Sequence, residues 1–183
     1  MATEKSYSRV EEAETIIANL CEKYPDELWQ IKPGIINVLG IENKERSKSN
    51  NKLATVKAIR NPTKAILQIN NVVVRYVIEL YWSDWNQWSL PLKQWIIFHE
   101  LQHIGDEIGK LVKHDSEDFR MILDAVGVDW VAKNEKLPLL LGSEKVKFNL
   151  SLRPIVAEYC QESEIKEDAE DENEENAEES PSK

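Results

Sequence analysis

The chain predicts an α+β fold, and three observations carry the prediction. Apolar residues recur with a helical period over residues 7–23 and again from Trp95 to Ile108. Residues 72–82 instead alternate along their length, as a strand does. Short apolar runs between these segments are bounded by Asn, Pro and Gly, the residues of turns. With 183 residues, 42% of them hydrophobic, the chain is long enough to bury one ordinary core.

In chain order, the first helix is expected over 7–23, with Val10, Ala13, Ile16, Ile17 and Leu20 on one face and Pro25 beyond its end. Ile35 to Leu39 fits a short strand or a turn of helix equally well. Residues 43–52, rich in Asn, Ser and Lys, read as a loop. Ala54 to Ile59 and Ala65 to Ile69 read as short strands separated by the turn signal Asn61-Pro62. The best strand is 72–82, where Val72, Val74, Tyr76, Ile78, Leu80 and Trp82 alternate with Val73, Arg75, Val77, Glu79 and Tyr81.

A helix then follows, with Ser89 as N-cap, Pro91 in the first turn and a core stripe of Ile97, Leu101, Ile104 and Ile108. Gly105 weakens it and Gly109 is its expected stop. A second helix opens near His114, capped by Asp115 or Ser116, with Phe119, Ile122, Leu123 and Val126 on its apolar face and Gly127 at its end. Trp85, Trp88 and Trp95 suit core anchors or the walls of a cleft. Farther on, Val146, Phe148, Leu150 and Leu152 alternate as a late strand.

The chemistry concentrates in sixteen residues that hold all three histidines: His99, His103 and His114. His99-Glu100-Leu101-Gln102-His103 is an HExxH motif. Residues four apart lie one turn above each other on a helix, so both imidazoles can reach one ion from the same face, off the core stripe. A Zn²⁺ site that does chemistry takes three protein ligands and keeps one position for water. His114 is the remaining histidine, and Glu117 is the alternative third ligand. Glu100, beside the first ligand, is placed to act as general base, a group that a purely structural zinc site does not need. Asp118 is the candidate carboxylate to hold a ligand imidazole by its other nitrogen. Arg153 and Tyr159 are the nearby candidates to stabilise an oxyanion.

These residues resemble the phage metallopeptidase family, whose pattern runs FHELxHIG, HDxxDF, Gly, Trp; the matching segments are Phe98 to Gly105, His114 to Phe119, Gly127 and Trp130. The match is close over 72–130 and weaker over most of 5–155. More distantly the chain is similar to SprT-like and Spartan proteases and minigluzincins. It departs from the metzincin pattern, because Asp106 and Gly109 stand where that pattern has Gly and a final His. The resemblance implies a minimal zincin-like domain with a small sheet, an HExxH helix and a following helix opened by the third His. It also implies a zinc metallopeptidase acting on a peptide or protein substrate, and a strand 72–82 that forms the edge along which the peptide lies, an ordinary interior strand being the alternative. Hydrolysis of a non-peptide amide would use the same groups.

Charge divides the chain. Residues 161–183 hold eleven Asp or Glu against Lys166 and Lys183, net −9, while the whole chain is −10, which leaves the first 160 residues close to neutral. The expected organisation is therefore a domain over 1–160 and a disordered acidic tail over 161–183, acting in solubility or as a partner-binding segment. Lys44, Arg46, Lys48, Lys52, Lys57, Arg60 and Lys64, opposed only by Glu45, support the alternative of a nucleic-acid-associated or regulatory binding protein on the same scaffold. The polar start and the lack of a bilayer-length apolar run predict a cytoplasmic protein with no membrane contact. Cys21 and Cys160 lack metal spacing and suggest no disulfide framework.

Overall fold

The structure, a computed structural model, describes residues 5–42, 52–114, 116 and 118–153. It is α+β. In chain order the elements are β1 (Tyr7–Arg9), α1 (Glu11–Lys23), β2 (Ile36–Ile41), β3 (Ala54–Ala58), α2 (Thr63–Ile69), β4 (Tyr76–Tyr81), α3 (Trp82–Gln87), α4 (Leu90–Gln102), α5 (Arg120–Val126) and α6 (Trp130–Lys133). Short 3₁₀ turns occupy Pro33–Ile35, Asn134–Lys136 and Leu150–Leu152.

The four strands form one mixed sheet in the order β1-β2-β4-β3, with β2 and β4 parallel and the outer pairs antiparallel. Strand β4 sits between β2 and β3. Its Tyr76, Ile78 and Leu80 are buried while Val77, Glu79 and Tyr81 are half-exposed, so the alternation in the sequence marks one covered face and one open face. Helices α1 and α4 pack against each other, with α1 also against β2 and α4 against β3. Ala13, Ile16, Ile17 and Leu20 of α1 are buried there, as the helical period requires.

Several expectations are corrected. Residues 7–9 pair with Leu39 to Ile41 as β1, so the first helix starts only at Glu11. Ala65 to Ile69 belongs to α2, and no strand among the described residues pairs with it. The strand at 72–82 is shorter, and it is interior: β4 is paired on both sides, so the edge next to α4 is β3. Residues 145–149 are irregular and run into the Leu150–Leu152 turn. Phe148 stacks on Phe98 at 4.7 Å, which explains its apolar character without strand pairing. Trp85 and Trp95 are fully buried anchors whose indole N–H groups donate to Glu12 Oε2 (2.8 Å) and the Pro138 carbonyl (2.9 Å); Trp88 is half-buried.

Candidate metal centre

Helix α4 runs through the centre of the core. Ser89 caps it by accepting from Leu92 N, Pro91 lies in its first turn, and Trp95, Ile96, Ile97, Phe98 and Leu101 are buried around it. The helix stops at Gln102, earlier than Gly109, and Ile108 is exposed instead of completing the core stripe. His103 takes the C-cap position with α-helical angles (φ −70°, ψ −16°), which keeps it one turn from His99.

The chain then doubles back. Ile104 and Leu111 form an isolated antiparallel bridge, and Val112 N donates to the His103 carbonyl at 2.7 Å. This return brings His114 to the other two histidines, with its Nε2 3.1 Å from His99 Nε2. One ring nitrogen from each of His99, His103 and His114 lies within 4.8 Å of the others. Three nitrogens bound at about 2.0–2.1 Å around a tetrahedral ion stand roughly 3.3 Å apart, so small side-chain adjustments fit this set to a metal. The three histidines can hold a metal ion.

The opposite nitrogens of two rings are already engaged. His103 Nδ1 lies 2.7 Å from the Val112 carbonyl, which can only accept, so its proton sits on Nδ1 and Nε2 is left as a ligand. His99 Nδ1 lies 3.0 Å from Asp118 Oδ1, an ion-pair distance without the alignment of a good hydrogen bond. Asp118 is itself held, with Oδ1 accepting from Phe119 N at 2.6 Å and Oδ2 from Trp130 Nε1 at 2.7 Å.

Phe119 joins the three histidines from below. Its fully buried ring lies 5.3 Å from the His99 ring, 4.7 Å from His103 and 4.9 Å from His114, edge-on to each. The sequence places Phe119 on a helix face and at the end of the His114 to Phe119 segment, with no sign of contact with all three histidines. The helix in fact begins after it, at Arg120, with Phe119 itself at the N-cap and no side-chain cap among the described residues, so Phe119 ends the connection and packs against the histidines. Gly127 ends α5 at φ +79°, a conformation that side chains rarely adopt.

Glu100 is buried on the side of α4 facing the sheet edge. Its Oε2 accepts from Val56 N of β3 at 2.9 Å. Burial raises its pKa above the ordinary carboxylate value, partly offset by His99, the Val56 hydrogen bond and Lys52. Burial lowers His103 to about 4, which keeps the imidazole neutral as a metal ligand must be. Burial by itself would raise the Asp118 carboxyl, but His99, Trp130 and Phe119 N outweigh it and bring it down to about 2.

The fold thus gathers His99, His103, His114, Glu100 and Asp118. It places Arg153 elsewhere, where its guanidinium donates to the Asp26 carbonyl. Asp115, Glu117, Tyr159, Cys160, residues 43–51 with Lys44, Arg46 and Lys48, and the acidic tail lie outside the described residues. Sequence reasoning missed the Val112 carbonyl and the Val56 amide, because a backbone partner leaves no mark in residue type.

No helix among the described residues is long and apolar enough to cross a membrane. No curated protein and no solved structure matches the chain significantly. A family model described as "Putative phage metallopeptidase" matches residues 5–137, well over half of the chain and all of the histidine site. The chain belongs to that phage metallopeptidase family.

Proposed function

We propose that the protein is a zinc-dependent peptidase in which His99, His103 and His114 are the metal ligands and Glu100 is the general base. The observation that carries this reading is the three-nitrogen cluster with a buried carboxylate one residue along α4 from the first histidine. Zn²⁺ suits three neutral imidazoles, and when bound it supplies a Lewis acid for the scissile carbonyl and the attacking water.

The chain's own residues do the rest. Val56 N holds one Glu100 oxygen and leaves the other to take the water's proton and return it to the leaving amine. The raised pKa moves Glu100 towards the range in which a carboxylate serves as base near neutrality. Asp118 and the Val112 carbonyl hold two rings with Nε2 turned inward.

Strand β3 supplies a place for the peptide. Val56 points its N–H away from β4, so the alternation of an antiparallel pair turns the backbone groups of Ala54, Val56 and Ala58 to the outer edge. A substrate strand added there would lie against Glu100, recognised through its backbone more than its sequence. Glu100→Gln is expected to reduce turnover of a quenched fluorescent peptide library by about 10²-fold or more while zinc content stays at the wild-type level. Wild-type turnover in that variant would rule Glu100 out as the base.

A further inference from the structure

The connection from β3 to β4 is longer than its task requires. Two antiparallel neighbours can be joined by a two-residue turn, yet here the chain passes through residues 59–75 and helix α2. Helix α2 buries none of its residues. Ile66 (57% exposed), Ile69 (81%), Val72 (39%) and Val73 (59%) all face solvent, and Val74 alone in 59–75 is buried. Core packing therefore does not account for this apolar surface.

Its charge is one-sided. From residue 52 to residue 78 the chain has Lys52, Lys57, Arg60, Lys64 and Arg75 and no Asp or Glu. Lys57 meets Glu79 at 2.9 Å across the sheet, but its side chain stays 58% exposed. The segment carries five positive charges in a chain whose net charge is −10.

Residues 154–183 have the complementary chemistry. They carry twelve Asp or Glu against Lys166 and Lys183, and the apolar Ile155, Val156, Tyr159 and Ile165 precede or interleave the acidic run. Thirty residues extend to about 100 Å, whereas a body of this size has a radius of gyration of about 15 Å, so the segment can reach the hairpin from wherever Arg153 leaves the fold. Tethering also gives the segment an effective concentration of about millimolar, enough for a weak contact to be populated.

We infer that the acidic C-terminal segment docks on the basic and apolar surface of the β3–α2–β4 hairpin. Its acidic side chains meet Lys57, Arg60, Lys64 and Arg75, and its few apolar side chains cover Ile66, Ile69 and Val73. Salt loosens this contact.

Zero-length carbodiimide coupling of the intact chain, followed by peptide mass spectrometry of the monomer band, reads the contact without turnover, so its outcome is independent of the peptidase reading. At low salt, acidic residues between 158 and 179 should couple to Lys57 and Lys64. Yield should fall at least threefold at 1 M NaCl, where the Debye length is about 3 Å. It should fall similarly in Arg60→Glu/Arg75→Glu, which retains both reporter lysines. The exposed pair Ile69→Ser/Val73→Ser, which removes no buried side chain, should lower it as well. Couplings spread evenly to Lys23, Lys136 and Lys147, or found only in a dimer band, would overturn the inference. So would protection of Lys57 and Lys64 by duplex DNA with no tail coupling, which would give the surface to nucleic acid.

Discussion

Asp118 is the residue whose chemistry reaches farthest beyond its own position. It touches His99 on one side and is fixed by Trp130 Nε1 and Phe119 N on the other. Asp118→Asn keeps one acceptor oxygen for these three neighbours, and zinc affinity measured by chelator competition should fall about 10–100-fold. An unchanged affinity would show that His99 does not need this carboxylate. Phe119→Ala removes the ring that all three histidines share and opens a buried cavity; unfolding in urea should show a loss of about 3–5 kcal/mol. At this scale the sequence was informative about side chains that carry their own chemistry. His99, His103, His114 and Glu100 stood at recognisable spacings, and Asp118 was visible as a carboxylate near a ligand. Val56 and Val112 act through backbone atoms that every residue has, and the packing of Phe119 against the three histidines depends on where a helix starts.

Among the elements, α1 and β4 were the most legible because each has a strong, single period, whereas α4 is buried nearly all round and was marked by its Ser89 cap and the spacing of its histidines. What they lacked was order in space. The alternation of 72–82 identified a strand with one covered face, but an interior strand and an edge strand share that pattern, and only pairing on both sides separates them. Helix α2 read as a strand because Ala65 to Ile69 is apolar and short, and an exposed helix has no buried stripe to reveal its period. The late strand failed for a related reason: Val146 and Phe148 pack on the core from an irregular backbone. The contact between β2 and the start of α3 also imposes a limit that no periodicity shows. A Cβ at Gly40 would stand 2.6 Å from Trp82 Cε3 and 3.2 Å from Val10 Cγ2. Gly40→Ala should therefore cost about 1–3 kcal/mol, read as a lower urea midpoint; a neutral effect would mean that the Trp82 ring moves freely.

For the molecule as a whole, the site joins segments distant in sequence: an edge strand, the central helix and the irregular return after it. A metal bound to all three histidines ties the end of α4 to the connection before α5, so it should stabilise the native state selectively. Chelation should lower the melting temperature, and zinc at about a hundred times its dissociation constant should restore roughly 2.7 kcal/mol. A melting curve insensitive to chelator would mean that this connection is held by Phe119 and the Val112 hydrogen bonds alone. Cys21 gives an independent check of the packing: burial raises its thiol to about 11, so at pH 8 it should react with iodoacetamide far more slowly in the native than in the unfolded chain.

The most direct measurement is metal content of the purified protein by inductively coupled plasma mass spectrometry, with wild type set beside His114→Ala. About one zinc per wild-type chain, lost or bound at least tenfold more weakly in the variant, is the predicted result. Wild-type protein that takes up no zinc, or a His114→Ala variant that binds it as tightly as wild type, would contradict the three-histidine site.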